Sequence, residues 1–505
     1  MPVEIGVTLT IDDVAAVACR AAPVGVASGA RAAVAVSRAQ VDRLIAEGTP
    51  VYAITTGVGK LASVGISPGD SARLQLNIVR SHAAGVGEPL AEDVVRAMML
   101  LRAHGLALGH SGVRPDVIDL VVACLNHGIH PVVPEQGSVG ASGDLAPLAH
   151  LALALIGEGE VIAGGVRRPA RSALDAAGLT PLTLGAKEGV ALVNGTQLMT
   201  AHGALAVHRA QRLCAAADAV GAMSLEALRG RSAAFHPRLH QARPHRGQQV
   251  SAANVRRMTA GSALVDSDPD RVQDAYALRC LPQVHGATRD AVTYAAGVIQ
   301  VEINAATDNP LLFPDEDLIL SGGNFHGQPV ALALDFLAVA LAGLATMIER
   351  RIERLVNPAL SGLPAFLTPE GGLRSGLMLA QYTAAALASE NKVLAHPASA
   401  DSIPTSANQE DHVSMGAAAA RKAAQIVAHV EQIVGIELLC AAQALEFRDR
   451  SGMGRGTTAA YAAVREVIPA LDDDRVLAPD LAAAAGLVRD GRILQAVGRA
   501  VGALE

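Results

Sequence analysis

The stretch VALALDFLAVALAGLATMIERRIERLV, residues 330–356, decides how the chain is read. Its first part, 330–348, holds one charge, Asp335, and is as long as a membrane-spanning helix. Two features point elsewhere. Asp335 sits in mid-run, where hydrocarbon would leave a carboxylate without a partner. The run then passes directly into ERRIERLV, whose Ile352, Leu355 and Val356 alternate with charges as on a half-buried helix. The segment therefore predicts a long buried helix of a bundle, and no membrane partner is expected.

The rest of the chain repeats the theme. Half of its 505 residues are hydrophobic, yet only 2% are aromatic and Trp is absent, so Ala, Leu and Val supply the apolar volume. Such runs favour long, closely packed helices, because Ala costs no side-chain entropy and lets backbones approach. Helices are predicted over 11–20, 30–47, 71–84 and 91–106, and from Asp144 onward. Further ones are predicted over 186–192, 195–222, from 265–268 through the Arg279 region, 287–304, 328–355, 375–395 and 412–448. A hairpin is expected near 157–165. The fold class is mainly α, a long central bundle preceded by a loop-rich region. The division falls near 181–187, giving 1–185 and 186–505 as domains.

The formal charge of −7 and the lack of a basic tail disfavour nucleic acid as a partner. Cysteines at 19, 124, 214, 280 and 440 have neither disulfide nor zinc spacing, which agrees with a reducing compartment. No HExxH or comparable cluster calls for a metal. MPVEIGVTLTIDD lacks the basic and apolar parts of an export signal, so a cytoplasmic location is expected. TTGVGK at 55–60 lacks the GxxxxGK[ST] spacing of a phosphate loop.

Chemistry concentrates in several polar blocks. In VGASGDLAP (139–147) small residues permit backbone geometries that larger ones exclude. Asp144 is placed to cap the following helix, with Pro147 in its first turn. The plain reading is a glycine-rich loop and cap. The sharper one has the Gly143 amide nitrogen attack the Ala141 carbonyl; loss of water from the ring and from Ser142 then leaves an exocyclic alkene. Tyr52 precedes the flexible TTGVG loop, Ser81-His82 lies within the helix predicted over 71–84, and Asn194 precedes Gly195. In QDAYALRC, a helix would bring Gln273, Tyr276 and Arg279 to one face. SGGNFHGQPV contains Phe325, and SADSIPTSANQEDHVSM contains Glu410.

Taken together, ASGDLAPLAH and these blocks resemble the aromatic amino acid lyase family across essentially the whole chain. The resemblance implies a bundle of the fumarase and aspartase-like superfamily, with the prosthetic group carried in the loop-rich N-terminal region. That group would be a 4-methylidene-imidazole-5-one made autocatalytically from Ala141, Ser142 and Gly143, with Asp144 supporting it. The implied roles are Tyr52 as base for the β proton, Tyr276 near the amine and the prosthetic group, and Asn194 and Gln273 at the substrate. Arg279 would clamp the substrate carboxylate through two parallel hydrogen bonds, and Phe325 would pack on the substrate ring or the prosthetic group. Ser81-His82 and Glu410 resemble the histidine-specific members, where an imidazole needs polar partners. The expected reaction is elimination of ammonia from L-histidine to give trans-urocanate, in a homotetramer with shared active sites. Tyrosine or phenylalanine elimination is the alternative, then an aminomutase. The sequence departs from the histidine pattern at Thr55, Val58, Ala275, His285, FHGQP (325–329) and Arg374; the last adds a charge that must reach solvent or find an anion.

Overall fold

A computed structural model describes residues 2–505. The chain is mainly helical, and its described strands are three or four residues long, in sheets of two or three. Thr10 starts the helix Ile11–Arg20 through a reciprocal cap with Asp13, as its sequence prescribes. The expected hairpin is Glu160–Ala163 against Val166–Pro169, with Ile129–Pro131 as a third antiparallel strand.

Two compact units form, interleaved along the chain, where the sequence pattern suggested one division near 181–187. The first comprises Met1–His208, Ala296–Asp335 and Pro397–Arg421. At its heart the helix Glu92–Ala107 is buried at every position from Val94 onward, including Arg96, Arg102 and His104. A helix apolar on all sides must be covered on all sides. Its three buried polar residues mark where the interior is not oil.

The second unit comprises Arg209–Ala295, Phe336–His396 and Lys422–Glu505. It is organised by a buried ionic network. The Arg351 Nε and Nη2 donate to the two Glu437 oxygens at 2.6 and 3.0 Å, and Ser224 Oγ donates to the same carboxylate at 2.7 Å. His285, a departure from the family pattern, belongs here. Its Nδ1 lies 2.8 Å from Asp218 Oδ1, and Arg351 Nη1 donates to its Nε2 at 3.2 Å. Those partners specify the neutral ring with the proton on Nδ1, and burial pushes its pKa down in the same sense against the pull of Asp218. Burial opposes charge on Asp218, but Arg289 and His285 outweigh it and hold the carboxyl at about 2.

Four long helices, Gln197–Ala227, Leu281–Ile303, Gln328–Val356 and Gly416–Leu445, begin in one unit's residues and end in the other's. Gln328–Val356 and Gly416–Leu445 are long and apolar enough to cross a membrane, yet 61% and 72% of their apolar windows are buried inside the protein. Asp335 is only 3% exposed and accepts the Ser399 amide at 2.7 Å. That partner is what its position in the apolar run required.

One helix expectation fails. Residues 265–275 are loop, and only Tyr276–Arg279 makes a helical turn. Asp266 adopts φ +62°, and the Asp274 carboxylate accepts Arg231 N at 2.6 Å and Arg271 Nη1 at 3.2 Å, which pins the chain in a non-helical path. Helices at Pro115–Asn126, Arg246–Met258, Arg455–Arg465, Ala478–Arg489 and Arg492–Val501 were not anticipated.

The ionic network yields a stability test. Arg351→Met leaves the Glu437 charge buried without its cation, which costs about 3–5 kcal/mol. A clear drop in the urea midpoint is expected. A midpoint within experimental error of the parent contradicts the assignment.

Candidate active site

The site begins with two backbones in contact. Gly143, at φ +74°, forms a parallel bridge with Gly195. A Cβ on Gly143 would fall 2.0 Å from the Gly195 carbonyl oxygen, and one on Gly195 would meet Gln197, Thr307 and Arg102 within 3 Å. Only glycine fits at either place. Asp144 N donates to Gly195 O at 2.6 Å, and Gly195 N donates back to Ser142 O at 3.3 Å. The Ala-Ser-Gly turn is therefore clamped by main chain on one side.

Asp144 holds the clamp, though not as the sequence suggested. Its side chain makes no capping bond to its own helix, Leu145–Leu155. The carboxylate instead accepts Leu198 N at 2.9 Å and Met199 N at 3.0 Å, in the first turn of Gln197–Ala227. The amides at a helix start need acceptors, and Asp144 supplies one to the distant helix and none to its own. Burial pushes the Asp144 carboxyl up to about 7, against the Met199 and Leu198 N–H groups and the Ser138 hydroxyl, which favour its charge.

A cavity of about 740 Å³ opens on the turn. Ala141 and Ser142 line it together with Tyr52, His82, Asn194, Phe325 and Glu410, seven of the residues singled out in the sequence. Ser142 Oγ donates to Glu410 Oε1 at 3.1 Å, and Thr405 Oγ1 donates to Glu410 Oε2 at 2.6 Å. Tyr52 Oη accepts Gly59 N at 3.0 Å, and Ser81 Oγ lies 3.1 Å from His82 Nδ1. Asn194 Nδ2 donates to Asp308 Oδ1 at 3.2 Å, while Asn194 Oδ1 is buried with no partner. That acceptor is left without a partner from the protein.

Gly143 and Asp144 lie behind the cavity wall. Gln273, Tyr276 and Arg279 do not line it. Gln273 and Tyr276 are exposed, Gln273 falls outside the helical turn, and the Arg279 guanidinium lies 4.4 Å from the Tyr276 ring centroid. The single-face arrangement of all three is thus corrected, while the Tyr276–Arg279 half of it is present.

Among the lining residues that the sequence reading did not single out are Asn309, His326 and His412. The two imidazoles stack at 5.8 Å, with 7° between their planes. The signal existed, since both lie inside the FHGQP and QEDHV blocks, but their pairing needs the fold.

Of the departures from the histidine pattern, Val58 lines the cavity, whereas Thr55, Ala275, His285 and Arg374 do not. Thr55 Oγ1 donates to Thr49 O at 2.7 Å and accepts Val51 N at 2.8 Å, tying its own loop. Arg374 finds the anions it needed, Asp473 at 2.7 Å and Glu370 at 3.2 Å.

The turn fits a prosthetic group made from its own residues. Closing Gly143 N onto the Ala141 carbonyl carbon would build a ring containing Ser142 N, Cα and C, with Ser142 O as its carbonyl. Each demand of that ring is met: a glycine that bends the chain, a serine hydroxyl open to the cavity, and an N–H already directed at Ser142 O.

This fold and turn define an aromatic amino acid lyase. The model of that family matches residues 9–466, and the chain belongs to it. Its members make a methylidene-imidazolone from Ala-Ser-Gly, here residues 141–143. The chain is 58% identical over 504 residues to a histidine ammonia-lyase of Symbiobacterium thermophilum, covering 100% of this chain and 99% of that one. Its structure is similar to that of a histidine ammonia-lyase from Trypanosoma cruzi, with TM-score 0.93 and 44% identity over 99% of this chain and 96% of that one. It is also similar to a tyrosine aminomutase from Streptomyces globisporus, with TM-score 0.95 and 40% identity over 100% of both chains.

Asp144 gives a pH test. Its folded pKa of about 7 lies above the ordinary value of 3.8, so the folded chain keeps a proton that the unfolded chain releases between those values. This group's contribution is present below pH 4 and is lost as pH rises toward 7. Subtracting the stability profile of Asp144→Asn from that of the parent should leave a fall of about 2–4 kcal/mol across that window. A flat difference from pH 4 to 7 would show that Asp144 is not held protonated.

Proposed function

We propose that this protein eliminates ammonia from L-histidine to give trans-urocanate. One observation carries the reading: a single cavity holds the Ala141-Ser142 turn, the imidazole of His82 and the carboxylate of Glu410. When formed, the methylidene-imidazolone supplies an electrophilic alkene that turns the substrate amine into a better leaving group.

The chain's own residues do the rest. Glu410 Oε1 is occupied by the Ser142 hydroxyl in the open peptide. Loss of that hydroxyl on maturation frees the oxygen to accept an imidazole N–H, while Thr405 keeps Oε2 in place. His82 meets the other side of the imidazole, and its Ser81 contact limits ring rotation. Tyr52 Oη already accepts one N–H, from Gly59, and takes the substrate β proton as base. Asn194 presents its unpartnered Oδ1 to the substrate amine, and Phe325 packs on the ring. The glycine-rich 55–59 loop covers the site and keeps water out.

The carboxylate clamp comes from Arg279 of a neighbouring copy, with Gln273 and Tyr276 beside it, in a homotetramer. The exposure of Tyr276 and an exposed apolar stripe of Leu332, Phe336 and Val339 on one helix support that assembly. The enzyme works in the cytoplasm on a free amino acid, with no nucleic-acid or membrane partner. The departures from the histidine pattern lie mostly outside the cavity, which supports histidine over tyrosine as substrate.

The intact active chain should be lighter than its sequence by two waters, about 36 Da. An unmodified mass in active protein sinks the reading. With histidine, tyrosine and phenylalanine supplied separately, histidine should give the fastest rise in ultraviolet absorbance, and faster tyrosine turnover reverses the assignment of His82. Glu410→Gln should lower histidine turnover by roughly a hundredfold or more, with far less effect on any phenylalanine side activity. Equal losses would move Glu410 from ring recognition to the general machinery.

A further inference from the structure

The cavity wall has a charged layer behind it. Arg102 is 1% exposed, on a helix buried throughout, and its Nη1 donates to the Asn194 carbonyl at 2.7 Å. The next group in that peptide, Gly195 N–H, donates to Ser142 O at 3.3 Å. Guanidinium, carbonyl, N–H and Ser142 O thus form one chain of hydrogen bonds through a single peptide unit, and each polarises the next. Lys187, also fully buried, pairs with Asp308 at 2.5 Å, and the other Asp308 oxygen accepts Asn194 Nδ2. Two buried cations therefore face one buried anion around Asn194.

Burial raises Asp144 to about 7 and also raises Glu302, whose carboxylate accepts Thr196 Oγ1. Burial lowers Arg102 only to about 10, so it stays a cation at neutral pH. Lys187 is lowered too, by burial first and by Arg102 among the lesser causes, against the pull of Asp308.

We propose that Arg102 is a positioning residue for the electrophile: its buried charge, relayed through the Asn194–Gly195 peptide, draws electron density onto Ser142 O and so activates the alkene made from Ser142. This rests on the reading that residues 141–143 cyclise. As a nucleophile's lone pair bonds to the former Ser142 Cβ, the alkene π pair shifts through the ring onto Ser142 O. No atom leaves, and the charge arrives at the oxygen that Gly195 N–H already faces. The same oxygen takes up charge when Ser142 loses its α proton and hydroxyl as water during maturation. Arg102 therefore serves both events. A charge fixed in a dry interior acts without reorganising, which is what makes such a contact effective.

The test uses the full-length protein and cyanide as the nucleophile, with adduct formation followed by intact mass and no substrate present. Arg102→Gln removes the charge and keeps a donor. It should either stall with only one water lost or trap cyanide at least about tenfold more slowly than the parent. Arg102→Lys keeps the charge and should recover most of the rate. Asp308→Asn removes the opposing anion and should trap cyanide faster than the parent, a sign that general damage to the site does not produce. It also decides the matter if Arg102→Gln fails to fold. Parent-like maturation and trapping in Arg102→Gln, or slower trapping in Asp308→Asn, overturns the proposal. If the parent itself loses no water, the functional reading has failed instead.

Discussion

The structure depends on a backbone contact that tolerates no side chain. Gly143 and Gly195 meet so closely that a single Cβ on either would strike main chain or buried polar groups. The contact sets the turn at Ala141-Ser142, directs the Gly195 N–H at Ser142 O, and brings the Asp144 carboxylate under the first turn of Gln197–Ala227. The long helix is anchored by the residue directly after the reactive turn. Folding and chemistry thus share one constraint, and a change that loosens the helix start also moves the electrophile.

Around this contact the interior is more polar than the composition suggests. A chain with half its residues apolar still buries Arg102, Lys187, Asp308, Arg351, Glu437 and Asp218. The two groups of charges do different work. In the second unit, Arg351, Glu437, His285 and Asp218 satisfy one another and hold helices in register. Beside the cavity, Arg102 and Lys187 stand around the single Asp308, and Asn194 Oδ1, Gln197 Oε1 and Arg102 Nε have no partner. Unsatisfied groups are costly in low dielectric, and three of them lie around the Asn194–Gly195 peptide that contacts the reactive turn.

The helical class, the long buried helices and the reactive turn were legible in the sequence because each has a local cause. Ala-rich periodicity predicts helix wherever it occurs, and an Ala-Ser-Gly turn needs no distant partner to be recognised. The 265–275 segment misled because its helix-compatible pattern is overruled by contacts of Asp274 with Arg231 and Arg271. The role of Asp144 was half legible: a capping residue was evident, but the helix it caps begins more than fifty positions later.

The sequence by itself determined the kind of protein, the turn, and five of the side chains that line the cavity beside it, Tyr52, His82, Asn194, Phe325 and Glu410. Those properties reside in residue type and short spacing. Only the tertiary structure decided that His326 stacks on His412, that Glu410 reaches the Ser142 hydroxyl, and that Arg102 stands behind Ser142 O through one peptide group. Hydrogen bonds between residues tens to hundreds of positions apart leave no periodic trace in a chain. They exist only once burial has removed water as the competing partner.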